Sequence, residues 1–277
     1  MREIKLINSI GAEYDLMNTD HFLHKPDGFG YKKDIEFVRI GNSFKAVEVE
    51  MAQQAITGEL VFTGYAEYTT FQAFTVSSPI TFCYKPKDKW FYKDGYIGVL
   101  EKSEIDRASS RLICDFDFYP TTMWYLPATT TQLEPTGVEH AKIYPFTYDF
   151  VYFNDAGGEI NVVNNGTTEA GCVIGIYGPL VNPYWKLVVS GSTVRDGKLN
   201  ATISDGSILT ISSRDTDYSI VARTIGSSGG SFYLNFSDTS TERFIKIPIG
   251  TSKIIISDDT ANPITAYVKV YQEYETV

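Results

Sequence analysis

Gly226-Ser227-Ser228-Gly229-Gly230 spells G-x-S-x-G, the turn that presents a nucleophilic serine in esterase-type enzymes. That chemistry needs a strand before the serine, a helix after it and a histidine later in the chain. Here a strand-like run, Phe232–Phe236, follows the turn, and all three histidines (His21, His24 and His140) precede Ser228. The segment reads as a flexible glycine and serine loop. His21 and His24, with Asp20 and Asp27 close by, have the makings of a metal site. Their spacing of three suits a helix, but Pro26, Asp27-Gly28 and Gly30 indicate a loop, and no third His or Cys lies near. Asp115 and Asp117, two apart, can be drawn as a general acid/base pair, the basis of a hydrolase reading; alternating acids on a solvated strand face are the commoner use of that pattern. Neither G-x-G-x-x-G nor G-x-x-x-x-G-K-[ST] occurs. The triplets beginning at Asn165, Asn200 and Asn235 are formal glycosylation sequons, meaningful only on a eukaryotic secretory route. Cys83, Cys114 and Cys172 are scattered and odd in number, so buried free thiols are expected rather than disulfides or a metal cluster. The expectation is a non-enzyme with no catalytic residues, no metal and no cofactor.

The elements that would carry any site are mostly strands. In Phe44–Met51, Val47, Val49 and Met51 share one face and Glu48 and Glu50 the other, which predicts a half-buried strand. Leu112, Cys114, Phe116 and Phe118 alternate in the same way with Asp115 and Asp117. Further strands are expected over Ile35–Ile40, Ile80–Tyr84, Tyr96–Glu101, Ile160–Val163, Cys172–Tyr177, Lys186–Val189, Lys198–Ile203, Phe232–Phe236, Phe244–Ile247, Lys253–Ile256 and Ile264–Tyr271. Asp94-Gly95, Asp196-Gly197 and Asp205-Gly206 sit between such runs, where a tight hairpin needs a residue tolerant of positive φ. Tyr65, Tyr68, Phe71 and Phe74 recur at spacing three and, with Ala66 and Ala73, predict one short helix with an aromatic core stripe. The fold class is mainly β, with no β-α-β alternation.

The 277 residues suffice for two ordinary domains, and the pattern changes along them. Residues 1–130 form an aromatic-rich first domain. Residues 131–145 read as a linker, with Thr131, Pro135 and Gly137 in a stretch of weak periodicity. Residues 146–277 carry short strands between Gly, Asn, Ser and Thr turns, the spacing of a β-sandwich. The net charge is -10, and residues 1–145 (15 basic, 20 acidic) and 146–277 (9 basic, 14 acidic) carry -5 each. Without a Lys/Arg block, a protein that grips nucleic acid through its phosphates is excluded. No window approaches the roughly 18 apolar residues of a membrane span. The opening Met1-Arg2-Glu3-Ile4-Lys5-Leu6 meets Glu13 and Asp15 before a long apolar run, so no signal peptide and no membrane partner are expected.

The order of local patterns in the first half resembles the distal tail proteins, the baseplate hubs of long-tailed phages and phage-like particles of Gram-positive bacteria. Gly58-Glu59-Leu60-Val61-Phe62, the helix Tyr65–Phe74, Pro79–Pro86, Tyr96–Glu104 and Leu112–Phe118 ending near Trp124-Tyr125 carry the likeness. Tyr144–Tyr148, Asn164–Ala170, Ile176–Trp185 and Phe244–Gly250 resemble that family's C-terminal galectin-like or carbohydrate-module-like β-sandwich. Leu16–Gly41 fits least well.

The resemblance implies an N-terminal β-rich ring-forming domain with one short helix, closed into a homo-hexamer ring by head-to-tail contacts. It also implies a tail tube protein above, a tail-tip protein below, and outward sandwiches that dock receptor-binding or baseplate proteins. DNA would only pass through the channel, and acidic side chains lining it would keep that DNA from sticking. The localisation implied is the tail tip of a virion or phage-like particle, assembled in the bacterial host cytoplasm. Interface candidates are Tyr96, Ile97, Val99 and Leu100 in a Lys93–Ile105 hairpin arm, and Phe22, Phe29 and Tyr31 in a His21–Tyr31 loop. The rival is a carbohydrate-binding module or adhesin acting through Tyr177, Tyr184 and Trp185, aromatics able to stack on sugar faces. Trp185 and Leu187 alternate along one strand, which favours a core role for the indole.

Overall fold

The computed structural model describes residues 2–106, 109–133, 158–227, 229–232, 242–260 and 263–277. His140, Ser228, most of the expected linker, the Tyr144–Tyr148 segment, the strand expected beyond Phe232 and the sequon at Asn235 lie outside the described residues. The chain forms two compact units, Met1–Leu126 with Glu273–Val277, and Pro127–Gln272.

In the first unit the strands, numbered along the chain, are β1 (Glu3–Asn8), β2 (Glu13–Asp15), β3 (His21–Asp27), β4 (Lys32–Ile40), β5 (Ser43–Ala52), β6 (Ile56–Phe62), β7 (Ile80–Lys85), β8 (Phe91–Lys102), β9 (Leu112–Pro120) and β10 (Trp124–Tyr125). Helix α1 (Tyr65–Thr75) follows β6 and is the one helix among the described residues. The main sheet runs β2-β1-β7-β8-β9-β6-β3, and β4 and β5 pair only with each other. Alternation builds the core as expected: Leu112, Cys114, Phe116 and Phe118 of β9 are all buried, and Asp115 points out. Tyr68 and Phe71 bury the helix stripe, with Phe71 edge-on to Tyr14 at 5.0 Å and tilted on Phe62 at 5.6 Å. Burying one such phenylalanine is worth about 1.5–3 kcal/mol. Tyr65, expected in the stripe, stays 46 % exposed.

In the second unit the strands are β11 (Thr129–Leu133), β12 (Gly158–Asn164), β13 (Ala170–Tyr177), β14 (Leu180–Val181), β15 (Tyr184–Val189), β16 (Ser192–Lys198), β17 (Thr202–Ile203), β18 (Ser207–Arg214), β19 (Asp217–Thr224), β20 (Ser231–Phe232), β21 (Lys246–Ile247), β22 (Gly250–Ser257) and β23 (Ala266–Tyr271). One sheet runs β11-β23-β13-β18-β19-β20 and another β12-β22-β15-β16, and one hydrophobic core takes residues from both. Asn164 closes the β12–β13 turn from inside: its Nδ2 donates to Thr168 O and Ile247 O, and its Oδ1 accepts from Gly166 N. Residues 131–133, expected in the linker, are strand, since Thr129–Leu133 pairs with Ala266–Val270. The last strand, β24 (Glu273–Tyr274), pairs with Trp124 and Tyr125, so the final five residues belong to the first unit.

Two of the three expected Asp-Gly turns are not turns. Asp94-Gly95 lies inside β8 and Asp196-Gly197 inside β16. The glycines serve close approach instead. A Cβ on Gly197 would sit 2.6 Å from the Trp185 indole, and one on Gly95 would collide with the Tyr119 carbonyl oxygen and lie 2.8 Å from Pro120 Cα. Only Gly206, at φ +69, turns as expected. Gly95→Ala is expected to cost about 1–3 kcal/mol, as overpacking against backbone does; urea denaturation of the variant reads it.

Candidate functional site

The β4–β5 hairpin leaves the sheet of the first unit as a two-stranded ribbon. Its turn is Gly41-Asn42, with Gly41 at φ +64. The register pairs Ile35 with Val49, Lys33 with Met51, Phe37 with Ala46 and Arg39 with Phe44, and a bulge follows Glu36. Directly opposed residues share a face, so one face collects Ile35, Phe37, Phe44, Ala46, Val49 and Met51, with Lys33 and Arg39 at its two ends. The other pairs Asp34 with Glu50 and Glu36 with Glu48, and carries Val38 and Ile40 nearer the tip. Both faces are open: Phe37 is 56 % and Phe44 70 % exposed. The alternation in Phe44–Met51 therefore makes a strand, as expected, but not a half-buried one. Among the described residues of its own unit nothing covers the apolar face, because the ribbon joins no second sheet. A free two-stranded ribbon with a large apolar face is marginal alone and marks an interaction surface.

The expected interface residues are placed differently. β8 pairs with β7 over Phe91–Gly95 and with β9 over Gly95–Lys102, so residues 96–102 are held by β9 on one side and run past the end of β7 as one strand of the β8–β9 hairpin. Ile97 and Leu100 pack against the core, Val99 is half-buried and Tyr96 is 50 % exposed. His21–Asp27, expected as a loop, is strand β3, whose bulge between His24 and Asp27 absorbs Lys25 at φ +44 and Pro26. Phe22 is half-buried under the Arg111 guanidinium, and Phe29 stacks on Tyr84 at 4.5 Å. Tyr31 is exposed at the foot of the hairpin, with the Lys33 ammonium 4.9 Å from its ring centre.

The residues weighed for catalysis, metal or sugar do not converge. His21 Nδ1 lies 3.2 Å from Glu67 Oε2, with its ring 4.4 Å from that of Tyr14, and His24 is exposed. Asp27 Oδ1 accepts from Gly28 N. Asp115 and Asp117 stand on the outer side of β9, with Glu59 and Glu101 flanking Asp115 on the neighbouring strands. All three cysteines are buried free thiols, and burial pushes the Cys114 thiol up to about 11 and those of Cys83 and Cys172 to about 12. Trp185 is wholly buried and its Nε1 donates to Arg243 O at 2.8 Å. Tyr184 donates to Asp196 from one sheet, and Tyr177 stands on the other.

Residues 3–121 match the model of the distal tail protein N-terminal domain. The whole chain has the fold of a chain in the phage P2 baseplate in its activated conformation with Ca, at a TM-score of 0.64 and 14 % identity, covering 100 % of both chains. It likewise resembles the SPP1 Dit (gp 19.1) protein, described as a paradigm of hub adsorption apparatus in phages infecting Gram-positive bacteria. There the TM-score is 0.67 at 9 % identity, covering 97 % of this chain and 98 % of the other. No protein of curated function matches this sequence. Residues 3–121 thus match a distal tail protein N-terminal domain, and the chain as a whole shares the mainly β fold of the baseplate and hub structures.

Proposed function

We propose that the chain is the ring-forming hub of a phage or phage-like tail tip. Six first units close head to tail into a ring between the tail tube protein and the tail-tip protein. The second unit, a galectin-like or carbohydrate-module-like sandwich, is offered outward to receptor-binding or baseplate proteins. The observation that carries this reading is the β4–β5 ribbon, whose apolar face has no cover within its unit. A contact in which each copy's ribbon lies on the next copy's sheet is heterologous, and it closes when the rotation divides a full turn. The opposite face suits the lumen: its two directly opposed carboxylate pairs, Asp34/Glu50 and Glu36/Glu48, outnumber Lys32 and Lys45 on the same face, Asp34 lying 3.8 Å from Lys32, and the surplus of acid repels passing DNA. The sugar-binding alternative draws less support, because its three aromatics share no face.

Light scattering on the purified chain is the test. A species of about 186 kDa, six times the 31.0 kDa chain, is expected. A monomer persisting at tens of micromolar would sink the ring reading, and a lumen lined with Lys and Arg would sink the assignment of the acidic face.

A further inference from the structure

At the foot of the ribbon the first unit holds a pocket of about 460 Å³, lined among others by Tyr31, Met51, Gln54, Met123 and Tyr274. Lys93 lines it too, only 7 % exposed. Its ammonium lies 5.2 Å from the centre of the Trp124 ring, and among the described residues no carboxylate or hydrogen-bond acceptor meets it. Burial alone moves its pKa down to about 8. The carboxylate on the pocket wall, Glu275, is engaged by Lys33 at 3.1 Å. Gln54 lines the pocket too, and its buried Oε1 meets no donor among the described residues. A largely buried cation without a counter-charge, in a pocket whose wall also carries Gln54, gives an anionic partner a polar anchor set in apolar surface.

A partner group that suits this lining accepts from an ammonium and donates to an amide oxygen, with apolar surface around it. An acidic side chain and the N–H of its own peptide backbone supply both functions. We infer that the Lys93 pocket receives an Asp or Glu side chain of a neighbouring copy of this chain. Two observations select a second copy. Met51 belongs both to the pocket wall and to the apolar face of the ribbon, so a copy that covers that face also closes the pocket mouth. The chain, with 34 acidic against 24 basic side chains, has carboxylates to spare on its surface. The inference rests on the ring reading and deepens it: Lys93 makes ring closure selective for one register, since a wrong register leaves the cation buried and unpaired.

Two measurements test it. Lys93→Met keeps the length of the side chain and removes the charge; it is expected to fold at least as stably as the wild type. Its ring should dissociate at concentrations raised roughly tenfold or more, the loss typical of a buried charge pair. Reductive methylation read by mass spectrometry needs no variant at this position. Lys93 is expected to react several-fold more slowly in the wild-type ring than in a monomer made by Phe37→Asp. A Lys93→Met ring with unchanged dissociation, or equal methylation in ring and monomer, would overturn this inference and leave the ring standing. A monomeric wild type would overturn both.

Discussion

Phe37→Asp is expected to leave a folded 31.0 kDa monomer where the wild type gives a ring. Phe37 sits mid-ribbon on the apolar face, opposite Ala46 and two residues from Ile35, and is 56 % exposed. In the free chain the substitution replaces an exposed side chain with a soluble one, so monomer stability should change by no more than about 0.5 kcal/mol. In the ring the same position is covered. The contact then loses about 1.5–3 kcal/mol of apolar burial and gains a carboxylate that must be desolvated beside Ile35 and Val49. At about 1.4 kcal/mol per tenfold, even the smaller figure weakens each contact more than tenfold, and a closed ring of six loses it six times. Glu48→Gln on the opposite face is the control. It removes one of two opposed carboxylates, is expected to stabilise the ribbon slightly by relieving repulsion, and leaves the ring intact. Light scattering at matched concentration, with thermal unfolding of each variant, reads both results. A Phe37→Asp protein that still forms rings would remove the ribbon from the interface.

Alternation revealed the ribbon's strands, but what covers a strand is a property of the whole fold. Val47, Val49 and Met51 read as the inward face of a half-buried strand because apolar alternation in a monomer usually means that. The pattern is identical when the cover comes from another molecule. A hint was present across the turn: Asp34 and Glu36 alternate in β4 as Glu48 and Glu50 do in β5. The Gly41 turn alone would set Glu36 opposite Val47 and Asp34 opposite Val49; the bulge after Glu36 shifts the register by one and brings the acids face to face, which no local pattern announces. The Asp-Gly pairs failed for a different reason. Glycine admits positive φ, and it also admits a backbone or an indole at close range; at Gly95 and Gly197 the second property is in use, and only tertiary contacts tell the two apart. The start of the Lys93–Ile105 segment was not legible either: Phe91 and Tyr92 extend it back into a twelve-residue strand whose first five residues pair with β7 and whose remainder pairs with β9 alone. The aromatic helix, the alternating faces of β9, the buried thiols and the core position of Trp185 were legible because each depends on local periodicity. The Lys93 pocket was not, since Phe91-Tyr92-Lys93-Asp94 offers no sign that its lysine faces inward while Asp94 reaches Thr81 and Tyr125.

Lys93 also governs the second large effect, on stability as a function of pH. Its folded pKa of about 8 lies below the ordinary 10.5. Between these values the unfolded chain binds more protons than the folded one, so this group makes stability rise as pH goes up through the window. Below about pH 8 both states carry the charge, and the penalty for burying it is present in full. At about 1.4 kcal/mol for each pH unit between the two pKa values, that penalty is roughly 3 kcal/mol. Lys93→Met removes the charge and keeps the apolar stem against Trp124. The variant's unfolding free energy at pH 7 should therefore exceed that of the wild type by about 2–3 kcal/mol. The gap should close as pH approaches 10.5. The difference between the two profiles is the quantity to measure, since the buried thiols of Cys83, Cys114 and Cys172 act oppositely. Their folded pKa values are raised, so they hold protons that the unfolded chain releases above its thiol pKa, and they make both proteins less stable in alkali. Chemical denaturation of monomers in the Phe37→Asp background, at pH 7 and pH 10, separates this effect from assembly. A gap of the same size at both pH values would mean that Lys93 is already paired or neutral in the free chain. A positive gap that shrinks with pH would mean that the monomer holds a charged Lys93 without a counter-charge in its pocket.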